Sequence, residues 1–103
     1  MYGTIARFRV RKDVDKTEFK KRMDEFDSSQ IVGWIADYIF QTDLNSDEFF
    51  LVAIFKDQAS YQANADDPKQ HERYLIFRSF LDADPEWNDG AIISATGPGT
   101  RQA

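Results

Sequence analysis

Between Tyr2 and Val10 the chain alternates: Thr4, Ala6 and Phe8 fall on one side, Arg7 and Arg9 on the other. This two-residue period, with β-branched and aromatic residues, predicts a strand over 2–10. Asp15-Lys16-Thr17-Glu18 then fits a capping box, in which a side-chain oxygen accepts from a free helix N–H and Glu18 reaches back. Phe19, Met23 and Phe26 follow at spacings of four and three, opposite Lys20, Lys21, Asp24 and Glu25. That stripe predicts a helix ending near Ser28 or Ser29.

Gly33 opens a second strand over 34–40, and Asp43-Leu44-Asn45-Ser46-Asp47 is turn chemistry. The third strand, 49–55, is apolar on both faces, so something must cover each side of it. Asp57 can cap a helix through Ala59, Tyr61 and Ala65. Asp67-Pro68 restarts it, since Asp67 can cap and Pro68 suits the first helical position. Tyr74, Phe77 and Leu81 mark the next apolar stripe, widened by Leu75, Ile76 and Phe80. Residues 82–90 read as a loop closed by an Asp89-Gly90 turn, and 91–96 as a fourth strand. Gly97-Pro98-Gly99 breaks it, leaving one domain over 1–96 and a tail over 97–103.

The order β-α-β-β-α-β predicts an α+β, ferredoxin-like fold: one antiparallel four-stranded sheet with the helices on one face. The other face is then bare. Strands two and three look apolar there as well, so a homodimer packed through the open sheet face is expected. A domain of 103 residues buries only roughly 60–70% of its unfolded surface, and self-association adds burial. In regular alternation Trp34 and Tyr38 share a face of strand two, where they line either a ligand or the dimer seam.

Composition narrows the chemistry. There is no cysteine, which removes disulfide scaffolds, thiol nucleophiles and Cys-ligated zinc. No apolar run is long enough to span a membrane, and the N-terminus lacks a signal-peptide core, so a cytoplasmic protein is expected. Net charge is −5, which opposes nucleic acid and anionic lipid as partners. The charge is uneven: residues 1–22 carry +5 and residues 23–103 carry −10. The basic part is expected to face the acidic part within the fold or across a subunit contact.

One histidine and no cysteine leave no multi-histidine metal site. No nucleophile elbow or phosphate-binding glycine loop exists. The acidic run at 82–86 fails as a calcium loop, with Trp87 where glycine is needed. What remains is an aromatic pocket with few polar groups, the composition of a small-molecule site. Thr4 and Ala6 are small, and either leave room beneath the helices for a flat ligand or let a helix pack close. His71 is the sole side chain with an ordinary pKa near neutrality. It is a candidate general base for a phenolic or enolic substrate, a one-sided haem ligand, or a solvated helix histidine.

Beyond these readings the chain resembles the antibiotic biosynthesis monooxygenase domains of the dimeric α+β barrel superfamily. The likeness covers about residues 2–96. It rests on element order, on Phe55-Lys56-Asp57-Gln58-Ala59-Ser60-Tyr61, on Pro68, His71, Tyr74 and Leu81, and on Pro85-Glu86-Trp87-Asn88-Asp89-Gly90. The resemblance implies a cofactor-independent oxygenase of phenols or quinols, with no cofactor and no metal. Its base would be His71, with Tyr38, Tyr61, Tyr74 and Arg78 as donors or orienters in a pocket that includes Thr4, Ala6 and Trp34. Arg78 stands two helical turns after His71, where both can share a face; its other reading is a surface ion pair. Haem-degrading members carry an Asn on strand one and a Trp ten residues before the ligand His. Here Ala6 and Tyr61 stand at those places, which departs from the haem pattern. Two other readings stand beside the oxygenase: a non-catalytic binding module using the same pocket, and a structural homodimer whose own side chains fill it.

Overall fold

The computed structural model describes residues 1–26 and 30–98. The elements are β1 (Tyr2–Arg9), α1 (Lys16–Asp24), β2 (Trp34–Gln41), β3 (Glu48–Phe55), α2 (Gln58–Ala65), α3 (Pro68–Arg78) and β4 (Glu86–Ala91). The strands form one sheet in the order β2-β3-β1-β4, every neighbouring pair antiparallel. This is the ferredoxin-like α+β arrangement expected from the element order, with the second helical region divided in two.

The caps read from the sequence do their work. Asp15 accepts from the Thr17 N–H at 2.8 Å, Asp57 from Ser60 at 2.8 Å and Asp67 from Lys69 at 2.9 Å, with Pro68 opening α3. Each satisfies a donor that the first turn leaves free. α1 ends at Asp24 with Glu25 as its C-cap, short of the expected end. Ser28 and Ser29 lie outside the described residues.

Thr4, Ala6, Phe8 and Val10 point from β1 into the core, and pairing sets Thr4 beside Ala53, Ala6 beside Leu51 and Phe8 beside Phe49. The main core gathers at the Phe8 end: Phe8, Val10, Phe19, Phe49, Phe77 and Leu81. Phe8 stacks on Phe49 with centroids 5.4 Å apart and meets Phe77 edge-on at 4.9 Å. Phe19 of α1 meets Phe49 edge-on at 5.6 Å, so one ring cluster ties both helical regions to the sheet.

Two expectations need correction. The fourth strand is 86–91, not 91–96. Leu81 makes an antiparallel bridge to Val10, and the Asp82 N–H donates to the Arg9 carbonyl. The chain leaving α3 therefore runs back along β1 from that point. Its partner residues run out where β1 begins: Ala91 faces Tyr2, and the Ile92 N–H bonds Met1 O as the last rung. Ile93 lies beyond, fully exposed. Long-range pairing overrides the turn chemistry of Asn88-Asp89-Gly90.

The second correction concerns β2. Its register shifts between Trp34 and Ala36, a bulge that takes up Ile35. Trp34 lies opposite Phe55 on the helix side, but beyond the bulge it is Asp37, Ile39 and Gln41 that share that side, opposite Ala53, Leu51 and Phe49. Tyr38 pairs with Val52 on the open face and does not share a face with Trp34. The open face carries Ile5, Tyr38, Phe40, Phe50, Val52 and Ile54, with Tyr38 and Phe40 each 61% exposed.

The basic N-terminal part does face acidic residues from later in the chain. Arg7 pairs with Glu48 and Glu86, Arg9 with Glu48, and Lys16 with Asp47. No helix among the described residues is long and apolar enough to cross a membrane.

Phe19→Ala is expected to cost about 3–5 kcal/mol of unfolding free energy, because it empties the centre of the ring cluster. Gly33 has φ 79°, and a Cβ there would collide with the Ser60 side chain. Gly33→Ala is expected to cost at least about 1–2 kcal/mol from the backbone alone. Urea unfolding at fixed protein concentration measures both.

Candidate functional site

Next to the ring cluster, β1 and β3 carry small side chains at their paired positions Thr4 and Ala53. A cavity of about 910 Å³ opens there between the sheet and the helices. Its floor is Thr4, Ala53, Leu51 and Ile39; Phe19 and Met23 of α1 close one side, and Tyr61, Tyr74 and Phe77 of α2 and α3 the other. Trp34 and Trp87 stand in its wall. The volume suits a drug-sized ligand, and the lining is aromatic and aliphatic with a few polar groups.

Those polar groups form two constellations and one row. In the first, the Tyr61 hydroxyl donates to Asp89 Oδ1 at 2.8 Å. Burial, then the hydrogen bond and charge of Asp89, push the Tyr61 pKa up to about 12. The phenol therefore stays protonated at any ordinary pH. The Thr4 hydroxyl lies near enough to oppose that rise slightly, yet it makes no hydrogen bond of ordinary geometry to any protein atom. Thr4 is buried, so its hydroxyl is an unspent donor in the cavity floor.

The second constellation is on β2. Trp34 Nε1–H donates to Asp37 Oδ1 at 3.0 Å. Asp37 keeps an exposed edge, but its carboxyl sits against the cavity wall. Desolvation raises its pKa and outweighs the Trp34 hydrogen bond, which lowers it. The row is on α3, where Gln70, Arg73, Tyr74 and Phe77 follow helical spacing into the cavity and His71 stands exposed at its margin.

Of the residues singled out from sequence, the structure brings Thr4, Trp34, Tyr61, His71 and Tyr74 to this cavity. Ala6 is fully buried between Leu51 and Trp87 in the register and does not line it. Tyr38 is on the opposite face of the sheet. Arg78 is not at the cavity either. Its Nε bonds Asp84 at 2.7 Å and its guanidinium donates to the Leu81 carbonyl at 3.0 Å, closing the C-terminal end of α3. Sequence reasoning missed Asp37, Asn64, Gln70, Arg73 and Trp87. Gln70 and Arg73 fall on the period of Phe77 and were findable. Asp37 was hidden by the bulge, and Trp87 by a strand read as loop.

No protein-family model matches the chain, and no curated protein matches it. Solved structures do. SnoaB, a cofactor-independent oxygenase from Streptomyces nogalater, superposes with a TM-score of 0.77 at 11% identity, over 91% of this chain and 94% of that one. A candidate antibiotic biosynthesis monooxygenase from Nitrosomonas europaea gives 0.74 at 17% identity, over 91% and 100%. Another from Chloroflexus aurantiacus gives 0.73 at 17% identity, over 95% and 98%. The chain has the fold of the antibiotic biosynthesis monooxygenases. In this monooxygenase fold the cavity just described lies between the sheet and both helical regions.

The raised pKa of Asp37 has a pH consequence. Folding favours its protonated form, so its contribution is fullest below the ordinary carboxylate range and is lost as pH rises through the higher folded value. Asp37→Asn keeps an acceptor for Trp34 and removes the charge. It is expected to raise Tm at pH 7, with the gain vanishing below about pH 4. Thermal unfolding across that range tests it.

Proposed function

We propose that the protein is a cofactor-independent oxygenase acting on a phenolic or quinol-type aromatic compound. The observation that carries this is the aromatic-walled cavity of about 910 Å³ under the helices, in a fold shared with a cofactor-independent oxygenase. The chemistry asks little of the protein beyond a dry cavity, a base and positioning donors. His71 takes the substrate proton. The resulting anion gives an electron to O2, and the superoxide and substrate radical combine at a ring carbon bearing hydrogen. The peroxide regains a proton from His71 and loses water, leaving a carbonyl. One oxygen atom enters the product and the other leaves as water, with all electrons drawn from the substrate. The Thr4 hydroxyl donates to the substrate oxygen, Tyr61, its own proton held by Asp89, lies beside it, and Trp34 and Tyr74 flank the ring.

The same proposal includes a homodimer. The open face has an apolar centre of Ile5, Tyr38, Phe40, Phe50, Val52 and Ile54, bordered by Arg7, Arg9, Glu48 and Glu86. A patch of that kind fits a second copy turned about a two-fold axis.

Oxygen uptake with a panel of polycyclic phenols and quinols tests the activity. His71→Ala is expected to lower kcat about 100-fold or more while the circular dichroism stays unchanged. Unaltered kcat removes His71 from the mechanism, and no uptake with any of the panel removes the oxygenase. Phe40→Asp is expected to shift the sedimentation coefficient from dimer to monomer. A monomeric parent protein overturns the dimer.

A further inference from the structure

Most cations in and around the cavity are already matched. Lys16 pairs with Asp47 and also bonds the Arg11 and Val14 carbonyls, and Lys20 pairs with Asp24. Arg73 differs. It is half-buried in the α3 row that faces the cavity, between Gln70 and Tyr74. Its guanidinium donates to Gln70 Oε1 at 3.1 Å, a neutral acceptor, and no carboxylate among the described residues pairs with it. Asp37, a carboxylate of the β2 wall, is engaged by Trp34. A guanidinium close to Asp37 would hold that carboxyl ionised, whereas its pKa moves the other way. The two charges therefore serve different parts of the cavity.

A half-buried guanidinium with one neutral acceptor has most of its five donors unspent. Desolvation makes such a cation costly unless something anionic completes it. The planar fork of arginine matches a carboxylate in two parallel hydrogen bonds, and the Gln70 contact holds that fork in place. The rest of the lining is aromatic and apolar.

We propose that the ligand of this cavity is an aromatic carboxylic acid whose carboxylate is bound by Arg73. The inference rests on the cavity being an aromatic small-molecule site, and it narrows the substrate to hydroxylated arenes that carry a carboxylate. The acid end lies against Arg73 and Gln70, and the ring lies among Trp34, Tyr74 and Trp87. Arg73 is a binding residue here and takes no part in proton transfer.

Calorimetric titration with 1-naphthoate and, separately, with uncharged 2-naphthol tests this on the full chain. Naphthoate is expected to bind more tightly, and more weakly as salt rises. Arg73→Met keeps the length of the side chain and removes the charge. It is expected to weaken naphthoate by about ten- to hundredfold and to leave naphthol unchanged. Arg73→Lys is expected to restore part of the loss, because the charge returns without the fork. Retained naphthol binding shows that the variants keep an intact cavity. If Arg73→Met binds naphthoate as the parent does while naphthol also binds, the carboxylate assignment is overturned and the aromatic cavity stands. If neither compound binds the parent protein, the aromatic cavity itself is overturned, and this inference with it.

Discussion

Phe8 carries the architecture. Its ring stacks on Phe49 of the neighbouring strand, meets Phe77 of α3 edge-on, and lies 6.0 Å from Phe19 of α1. Sheet and helices are thus clamped together at one end of β1. Four residues earlier the same face carries Thr4, opposite Ala53. Backbone pairing keeps the strands at fixed spacing, and the clamp keeps the helices from collapsing onto the small side chains. A filled position at Phe8 and an open one over Thr4 follow from one strand, and the rings of Phe19, Phe49 and Phe77 form part of the cavity wall between them. The site does not sit on loops; it is a place where the packing was left unfinished between rigid elements.

β3 explains the other half of the molecule. Every residue of it is apolar after Glu48, and alternate side chains serve the cavity side and the open face. The charged residues at the border of the open face bridge strands that are distant in sequence, with Glu48 of β3 meeting both Arg7 and Arg9 of β1. Exposed pairs of this sort contribute little free energy. Their effect is to neutralise part of the basic N-terminal segment.

The helices and the first three strands were readable because each is specified locally: Asp15, Asp57 and Asp67 stand where a cap must stand, and the apolar periods switch cleanly between two and 3.6. β4 was not, because its six residues are exposed and gain their conformation from β1 alone. The pocket face of β1 and the aromatic wall around Tyr61 and Tyr74 were visible in advance. Three candidate residues lie away from the cavity for separate reasons. Tyr38 and Trp34 were given a common face by assuming an unbroken strand, and the bulge sets them on opposite faces. Ala6 could have opened space or been packed over, and it is packed over: Leu51 and Trp87 flank it in the register and it is fully buried. Arg78 has helical spacing to His71 but forms the surface ion pair that was its other reading, with Asp84 and the end of α3. A hydrogen-bonding competitor in a nearby loop leaves no trace in periodicity.

The bulge in β2 bears on how this chain is compared with others. One extra residue at Ile35 puts Trp34 and Asp37, three apart, on the same wall. In a strand without the bulge the same two side chains would be two apart. Deleting that one residue would leave every downstream side chain on its present face, so the strand tolerates a change of length with no change of chemistry. An alignment carried through β2 without a gap would set Asp37 against residues that point the opposite way in an unbulged relative. The tryptophan–carboxylate pair would then look absent where it is present, and distant homologues would seem further apart than they are.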